Sequence, residues 1–216
     1  MTVQIILASG SEIRAALLRN AGVPIEVQKP RVDEEMIRDA LLAESATPRD
    51  VADALAESKA RKIAEKNPEA WVIGCDQVLS FKGKLLSKPE IPTEARAQLA
   101  SMRGQTHKLL SAVVLYAEGK PVWRHVGEVR MTMHGISDAY LDDYVTRNWD
   151  SIRHAVGAVL IGTNIDTNGS CPRLFGNVAQ QINGRLLPGI VKAHAVDDSM
   201  ILNQAEQTRL WVARLR

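Results

Sequence analysis

Val3-Gln4-Ile5-Ile6-Leu7-Ala8-Ser9-Gly10-Ser11-Glu12-Ile13-Arg14, running into Ala15-Ala16-Leu17-Leu18, changes its periodicity part-way along. The apolar run over residues 3–7 reads as a buried strand, and helical spacing takes over at Ile13, Leu17 and Leu18. Between them stand two hydroxyls around a glycine. Ser9 or Ser11 can cap the new helix by accepting from its orphan N–H groups. The same N–H groups, at the positive end of a helix dipole, suit an anion. Arg14, on the first turn, can reach back to a phosphate in fork geometry. An ordinary capped helix with a solvated arginine fits the same letters.

Working outward, Ala21-Gly22-Val23-Pro24 is a helix stop and turn, and residues 25–27 form a short strand candidate. Val32-Asp33-Glu34-Glu35 opens a helix that continues through Ile37, Leu41 and Leu42. Its acids suit a helix first turn, or a carboxylate held over a metal or a polyphosphate-bound cation. Thr47-Pro48 is an N-cap followed by proline at the first helical position. The helix that follows has Val51, Leu55, Ile63 and Ala64 on its apolar stripe. The pattern alone places its Lys59 on the wet face.

Residues 71–79, Trp-Val-Ile-Gly-Cys-Asp-Gln-Val-Leu, form a continuous apolar run expected to be a strand buried on both faces. Asp76 and Gln77 interrupt it. A charge in a central strand is costly unless it is paired, metal-bound or at a cleft, so Asp76 is a candidate functional residue. A hairpin turn at 81–85 leads to Lys88, which Pro89 keeps out of a helix. A helix from Thr93 to about Gly104 follows, then a β-rich run over 108–116 and a turn at 118–121. In the strand expected over 123–133, odd positions (Trp123, Val129, Met131, Met133) are mostly apolar and most even ones (Arg124, Glu128, Arg130, Thr132) polar, as in a half-buried antiparallel strand. Ser137 caps a helix bearing Tyr140, Leu141, Tyr144 and Val145. Residues 161–172 read as a long loop and 199–214 as a last helix.

With 216 residues the chain fits one large domain or two small lobes. A net charge of +2 gives no bulk signal for nucleic acid. Cys75 and Cys171 match neither a zinc spacing nor a disulfide framework, and reduced thiols in a cytoplasmic protein are the simplest reading. No apolar run approaches the roughly 20 residues a membrane helix needs.

The ordered set of motifs resembles the Maf-like nucleoside triphosphate pyrophosphatases. Leu7-Ala8-Ser9-Gly10-Ser11-Glu12-Ile13-Arg14 with Leu17-Leu18 stands where the family has Leu-Ala-Ser-x-Ser-Pro-Arg-Arg and a Leu-Leu helix. Val32-Asp33-Glu34, Lys59-Ala60, Gly74-Cys75-Asp76, Lys88-Pro89 and the segment 103–107 ending in His107 follow in family order. The resemblance covers residues 3–156, within a single domain expected over 1–216 whose segment 157–216 diverges. It implies an α/β fold, a mixed twisted sheet flanked by helices in two lobes about a central cleft.

The resemblance also implies cleavage of a nucleoside triphosphate between the α and β phosphates, with a divalent cation, Mg2+ or Mn2+. Asp76 would accept the proton of the attacking water and, with Glu34, hold the metal. Ser9, Ser11 and Arg14 would cradle phosphates, and Lys59 and Lys88 would neutralise charge on the departing pyrophosphate. Gln77 after Asp76 is similar to the subgroup acting on 7-methyl-GTP. A homodimer is implied, with no nucleic-acid or membrane partner. The other reading is a nucleotide-binding protein with impaired turnover, since the family's C-terminal elements are not recognisable after Gly157. Gly184-Arg185-Leu186-Leu187-Pro188 can be encoded so that a one-base shift yields Gly-Asp-Tyr-Phe, the family's turn. Residues after about Gly157 are therefore expected to be a family C-terminus in a shifted frame.

Overall fold

Four apolar residues make β1 (Ile5–Ala8), and all four are buried. The chain then turns into α1 (Glu12–Asn20), which ends at Gly22 with φ +77°. The Val23 N–H donates to the Leu18 carbonyl there, satisfying one of the last helix acceptors. β2 (Glu26–Gln28) returns parallel to β1. The Asp33 side chain caps α2 (Glu34–Ala43) by accepting from the Met36 N–H at 3.0 Å. Thr47 and Asp50 form a reciprocal capping box at the start of α3 (Pro48–Ala64). β3 (Trp71–Phe81) is the expected central strand, parallel to β1.

Two positive-φ residues, Lys82 and Gly83, turn β3 into antiparallel β4 (Lys84–Leu86). α4 (Pro92–Met102) starts one residue before Thr93, with proline in its first turn. β5 (Thr106–Ala117) and β6 (Lys120–Met133) are joined through Glu118 and Gly119, again both at positive φ. Ser137 caps α5 (Asp138–Ile152), as its position before the apolar repeat predicts. The last described element is β7 (Val191–His194), antiparallel to β6.

The structure, a computed structural model, describes residues 3–153 and the backbone of 191–194. The loop expected at 161–172 and the helix expected at 199–214 lie outside the described residues, as does the tail expected to be in a shifted frame, apart from the strand at 191–194. The order β2-β1-β3-β5-β6-β7, with β4 on β3, makes the mixed sheet of an α/β fold.

The described residues divide into two units, 3–77 with 110–127 and 78–109 with 128–153 and 191–194. In the first, α1 covers one sheet face, with Ala15 packed among Ile5, Leu7, Ile73, Cys75 and Leu115. Gly74 and Asp76, alternating with those strand residues, face α3 on the other side. In the second unit, Leu79, Leu99, Met102, Met131, Met133 and Leu141 belong to one apolar cluster with α4 and α5.

β6 departs from the expected alternation. Met131 and Met133 are buried, but so is the even-numbered Val126, whereas Trp123 is exposed and stacks on His125. The strand runs from one unit into the other, so a single phase does not describe both halves.

Candidate active site

The register of two parallel strands assembles the site. Ala8 pairs with Gly74 at the end of β1, while β3 continues. Cys75 and Asp76 therefore extend past the end of β1, beside the turn that holds Ser9, Gly10 and Ser11. Ligands in parallel α/β sheets bind beyond such carboxyl ends.

Within the turn, the Ser9 N–H donates to the Leu7 carbonyl at 3.0 Å, and Ser9 Oγ accepts from the Ser11 N–H at 3.2 Å. Ser11 occupies the N-cap position, but its hydroxyl makes no capping hydrogen bond. Of the two serines expected as caps, neither closes the helix start by its side chain. Ser9 is spent on the turn itself, and the Ser11 hydroxyl stays available. Arg14 Nη1 donates to the Cys75 carbonyl at 3.2 Å and to Ser9 Oγ at 3.5 Å. The guanidinium is thus tied to β3 rather than solvated, and its other N–H groups remain open for a ligand.

Lys59 is the main correction to the helical pattern. Instead of the wet face, it is 7% exposed, and Asp76 is 8% exposed. Lys59 Nζ donates to Asp76 Oδ1 at 2.6 Å and lies 2.9 Å from Glu34 Oε1. A buried ammonium is tolerated because two carboxylates compensate it. Burial pushes the Asp76 carboxyl above the ordinary carboxylate range, against the pull of Lys59, and the Glu34 charge adds to the rise. Burial likewise raises the Cys75 thiol. Cys75 is a free thiol, as expected for a reduced protein, whereas Cys171 lies outside the described residues.

Gly74 makes this pairing geometrically possible. A Cβ there would sit 2.2 Å from the Ala56 carbonyl oxygen and 2.7 Å from Ala60 Cβ. With no side chain at Gly74, and with Ala56 and Ala60 on the helix, α3 packs directly on β3. Lys59 then reaches Asp76 two residues further along the strand. The sequence signal was a glycine inside a strand otherwise rich in apolar residues, which marks close backbone approach.

Glu34 comes from the first turn of α2 while Asp33 caps that helix, the helix-start role expected of the acidic segment, and Glu34 also pairs with Lys59. Gln77 belongs to the first unit and alternates onto the face opposite Asp76. Lys88 is exposed on the stretch after β4 in the second unit. Among the described residues no three His, Cys, Asp or Glu side chains converge as a ready metal cage.

A family model described as "Maf-like protein" matches residues 4–165. The chain belongs to the Maf-like family. A Maf-like relative in Ruegeria pomeroyi, named nucleoside triphosphate pyrophosphatase, is 61% identical over 178 residues, 82% of this chain and 86% of the relative. A protein of Brucella abortus named 7-methyl-GTP pyrophosphatase is 45% identical over 158 residues, 73% of this chain and 79% of that one. Among solved structures, a nucleoside-triphosphatase, or dITP/XTP pyrophosphatase, of Mycobacterium abscessus aligns with a TM-score of 0.35 at 16% identity. That alignment covers 62% of this chain and 74% of that one, too loose a likeness to bear on the site.

Proposed function

We propose that this Maf-like protein hydrolyses a nucleoside triphosphate to the monophosphate and pyrophosphate, with 7-methyl-GTP or a similar modified nucleotide as its substrate. The observation that carries the reading is the buried Lys59–Asp76 pair, set beside the serine turn and Arg14 at the carboxyl end of β1. Relatives named for the same activity support it. Gln77 after Asp76, and the Brucella relative's name, support the choice of base.

Asp76 accepts the proton of a water molecule as the water oxygen bonds to the α-phosphorus. The bond from that phosphorus to the α–β bridging oxygen breaks, and pyrophosphate leaves with the electron pair. A carboxyl with a raised pKa is a better base than an ordinary aspartate. Lys59 occupies Oδ1, which leaves Oδ2 to take the proton. Ser9, Ser11 and Arg14 hold the phosphates, with the Arg14 fork supplying paired N–H donors. Lys59 and Lys88 offset the negative charge that grows on the leaving group.

Asp76 and Glu34 suit a hard divalent cation, Mg2+ or Mn2+. Both are oxygen donors, and they already converge on one positive charge. The cation's other ligands would be substrate phosphates and water, and it would polarise the phosphoryl oxygens. The proposal includes a cytoplasmic setting and a homodimer. No helix among the described residues is long and apolar enough to cross a membrane.

The test is product analysis on the full chain with Mg2+ or Mn2+ across ordinary and methylated nucleoside triphosphates. Monophosphate and pyrophosphate should appear in equal amounts, fastest from 7-methyl-GTP. Orthophosphate as the first product, or binding without turnover, would overturn the hydrolytic reading. Faster cleavage of an unmodified pyrimidine nucleotide would overturn only the choice of base.

A further inference from the structure

We propose that Lys29 is a substrate-contacting residue, whose ammonium extends the phosphate-binding turn and takes the polyphosphate of the incoming nucleotide. The inference rests on the function proposed above and adds a residue to its site.

The geometry begins with the strand ends. β1 and β2 are parallel, with Ala8 beside Gln28, so the residues after these strands leave the sheet together at the same edge. On β1 that residue is Ser9, and on β2 it is Lys29. The aliphatic stem of Lys29 crosses the turn at Gly10. A Cβ at Gly10 would be 3.3 Å from Lys29 Cδ and 3.4 Å from both Cγ and Cε. The absence of a side chain at Gly10 lets the lysine stem pass this close. The stem, out to Cε, thereby lies against the turn between the two serines, and the ammonium is the next group along it.

Two features fix the lysine backbone. Pro30 disfavours helical geometry at Lys29 and keeps it extended. Gln28, just before it, accepts a hydrogen bond from Asn67 Nδ2 at 3.2 Å, which ties the end of β2 to the segment after α3.

The charge around Lys29 decides what it can bind. Lys59 is shared by Asp76 and Glu34, and Arg14 Nη1 is held by the Cys75 carbonyl and Ser9. Lys29 makes no ion pair or hydrogen bond among the described residues. At this edge of the sheet it is an uncommitted cation beside a turn with a free serine hydroxyl and open helix N–H groups. An exposed lysine of this kind attracts a polyanion over a screening length, before the buried pair is engaged.

The test uses the full chain and inorganic pyrophosphate, with a triphosphate whose α–β bridge is methylene as second probe. Binding is measured by calorimetry at low and high salt. Lys29→Met keeps a stem over Gly10 and removes the charge; it should weaken both ligands about three- to tenfold at low salt. The difference should shrink toward none at about 1 M salt, and Lys29→Arg should restore binding. Wild-type affinity in Lys29→Met at low salt would overturn the proposal. So would a loss that persists at high salt, which would mark a packing role. If the wild type binds pyrophosphate but leaves nucleotides uncleaved, the hydrolytic reading fails while this one stands. If it cleaves them and Lys29→Met binds normally, this inference alone fails.

Discussion

Helix α3 is involved in two charge clusters built to the same plan in different surroundings. In one, Lys59 is shared by Asp76 and Glu34; in the other, Arg124 is shared by Asp53 and Glu57. Distances do not separate them, since Lys59 lies 2.6 and 2.9 Å from its partners and Arg124 lies 2.6 and 2.9 Å from its own. Burial does: the side chains of Lys59 and Asp76 are 8% and 9% exposed, whereas that of Arg124 is 45% exposed. In low dielectric the buried Lys59–Asp76 pair interacts strongly, and removing either partner would leave a buried charge uncompensated. Water and salt screen the second, which clasps β6 to α3 with little energy at stake. The same three-charge motif is therefore centred on a buried pair in one place and on a half-exposed arginine in the other.

The largest effect should come from changing the buried cluster at Asp76, its proposed proton acceptor. Asp76→Asn keeps the shape and a partner for Lys59 but cannot take a proton, and loss of a general base typically costs about 10²–10⁴-fold in turnover. Pyrophosphate release by the mutant, measured beside an unchanged circular dichroism spectrum, checks this. Full activity would remove Asp76 from the mechanism and leave both clusters structural.

Gly74→Ala attacks the buried cluster without touching a charge. The new Cβ would meet the Ala56 carbonyl at 2.2 Å, so α3 must move off β3 and carry Lys59 with it. Overpacking of this kind costs about 1–3 kcal/mol, read from urea unfolding, and activity should fall with it. The homologous change on the exposed side, Arg124→Gln, should do neither.

His107 offers a third environment, a buried group without compensation. It is 1% exposed, and neither ring nitrogen has a hydrogen-bond partner among the described residues. Burial lowers its pKa below the ordinary 6.5. The unfolded chain then binds a proton that the folded one resists. The stabilisation is complete above about pH 6.5 and is lost as the pH falls toward the folded value, at up to about 1.4 kcal/mol per unit. His107→Leu should flatten the profile between pH 5 and 7. An unchanged slope would assign the acid sensitivity to other groups.

The smallest effect belongs to the exposed cluster. Arg124→Gln should cost under about 1 kcal/mol and leave kcat/KM unaltered. Raising salt should erode the wild-type advantage toward the mutant. A loss as large as that of Gly74→Ala would mean that the two clusters are energetically equivalent after all.

Much of the element order was legible because its signals are local. The change of period at Ser9, the Thr47-Pro48 cap and the paired turns at Lys82-Gly83 and Glu118-Gly119 each act within a few residues. Asp76 stood out because a carboxylate interrupts an apolar strand. Lys59 did not, since helical spacing cannot reveal that a strand and a second helix each bring a carboxylate to it. Trp123 was misplaced, and the burial of Val126 not foreseen, for a related reason: alternation assumes one environment along a strand, and β6 passes between two units.

By itself the sequence determined where most strands and helices begin, which residue types stand out from their pattern, and the order in which family motifs occur. Those properties follow from backbone preferences and from side-chain types, which are properties of neighbours along the chain. Only tertiary structure decided that Lys59 is buried, that Gly74 is the contact admitting α3, and that Lys29 lies across Gly10. Each depends on a register between segments distant in sequence. Packing set that register, and no single segment encodes the position of its partner.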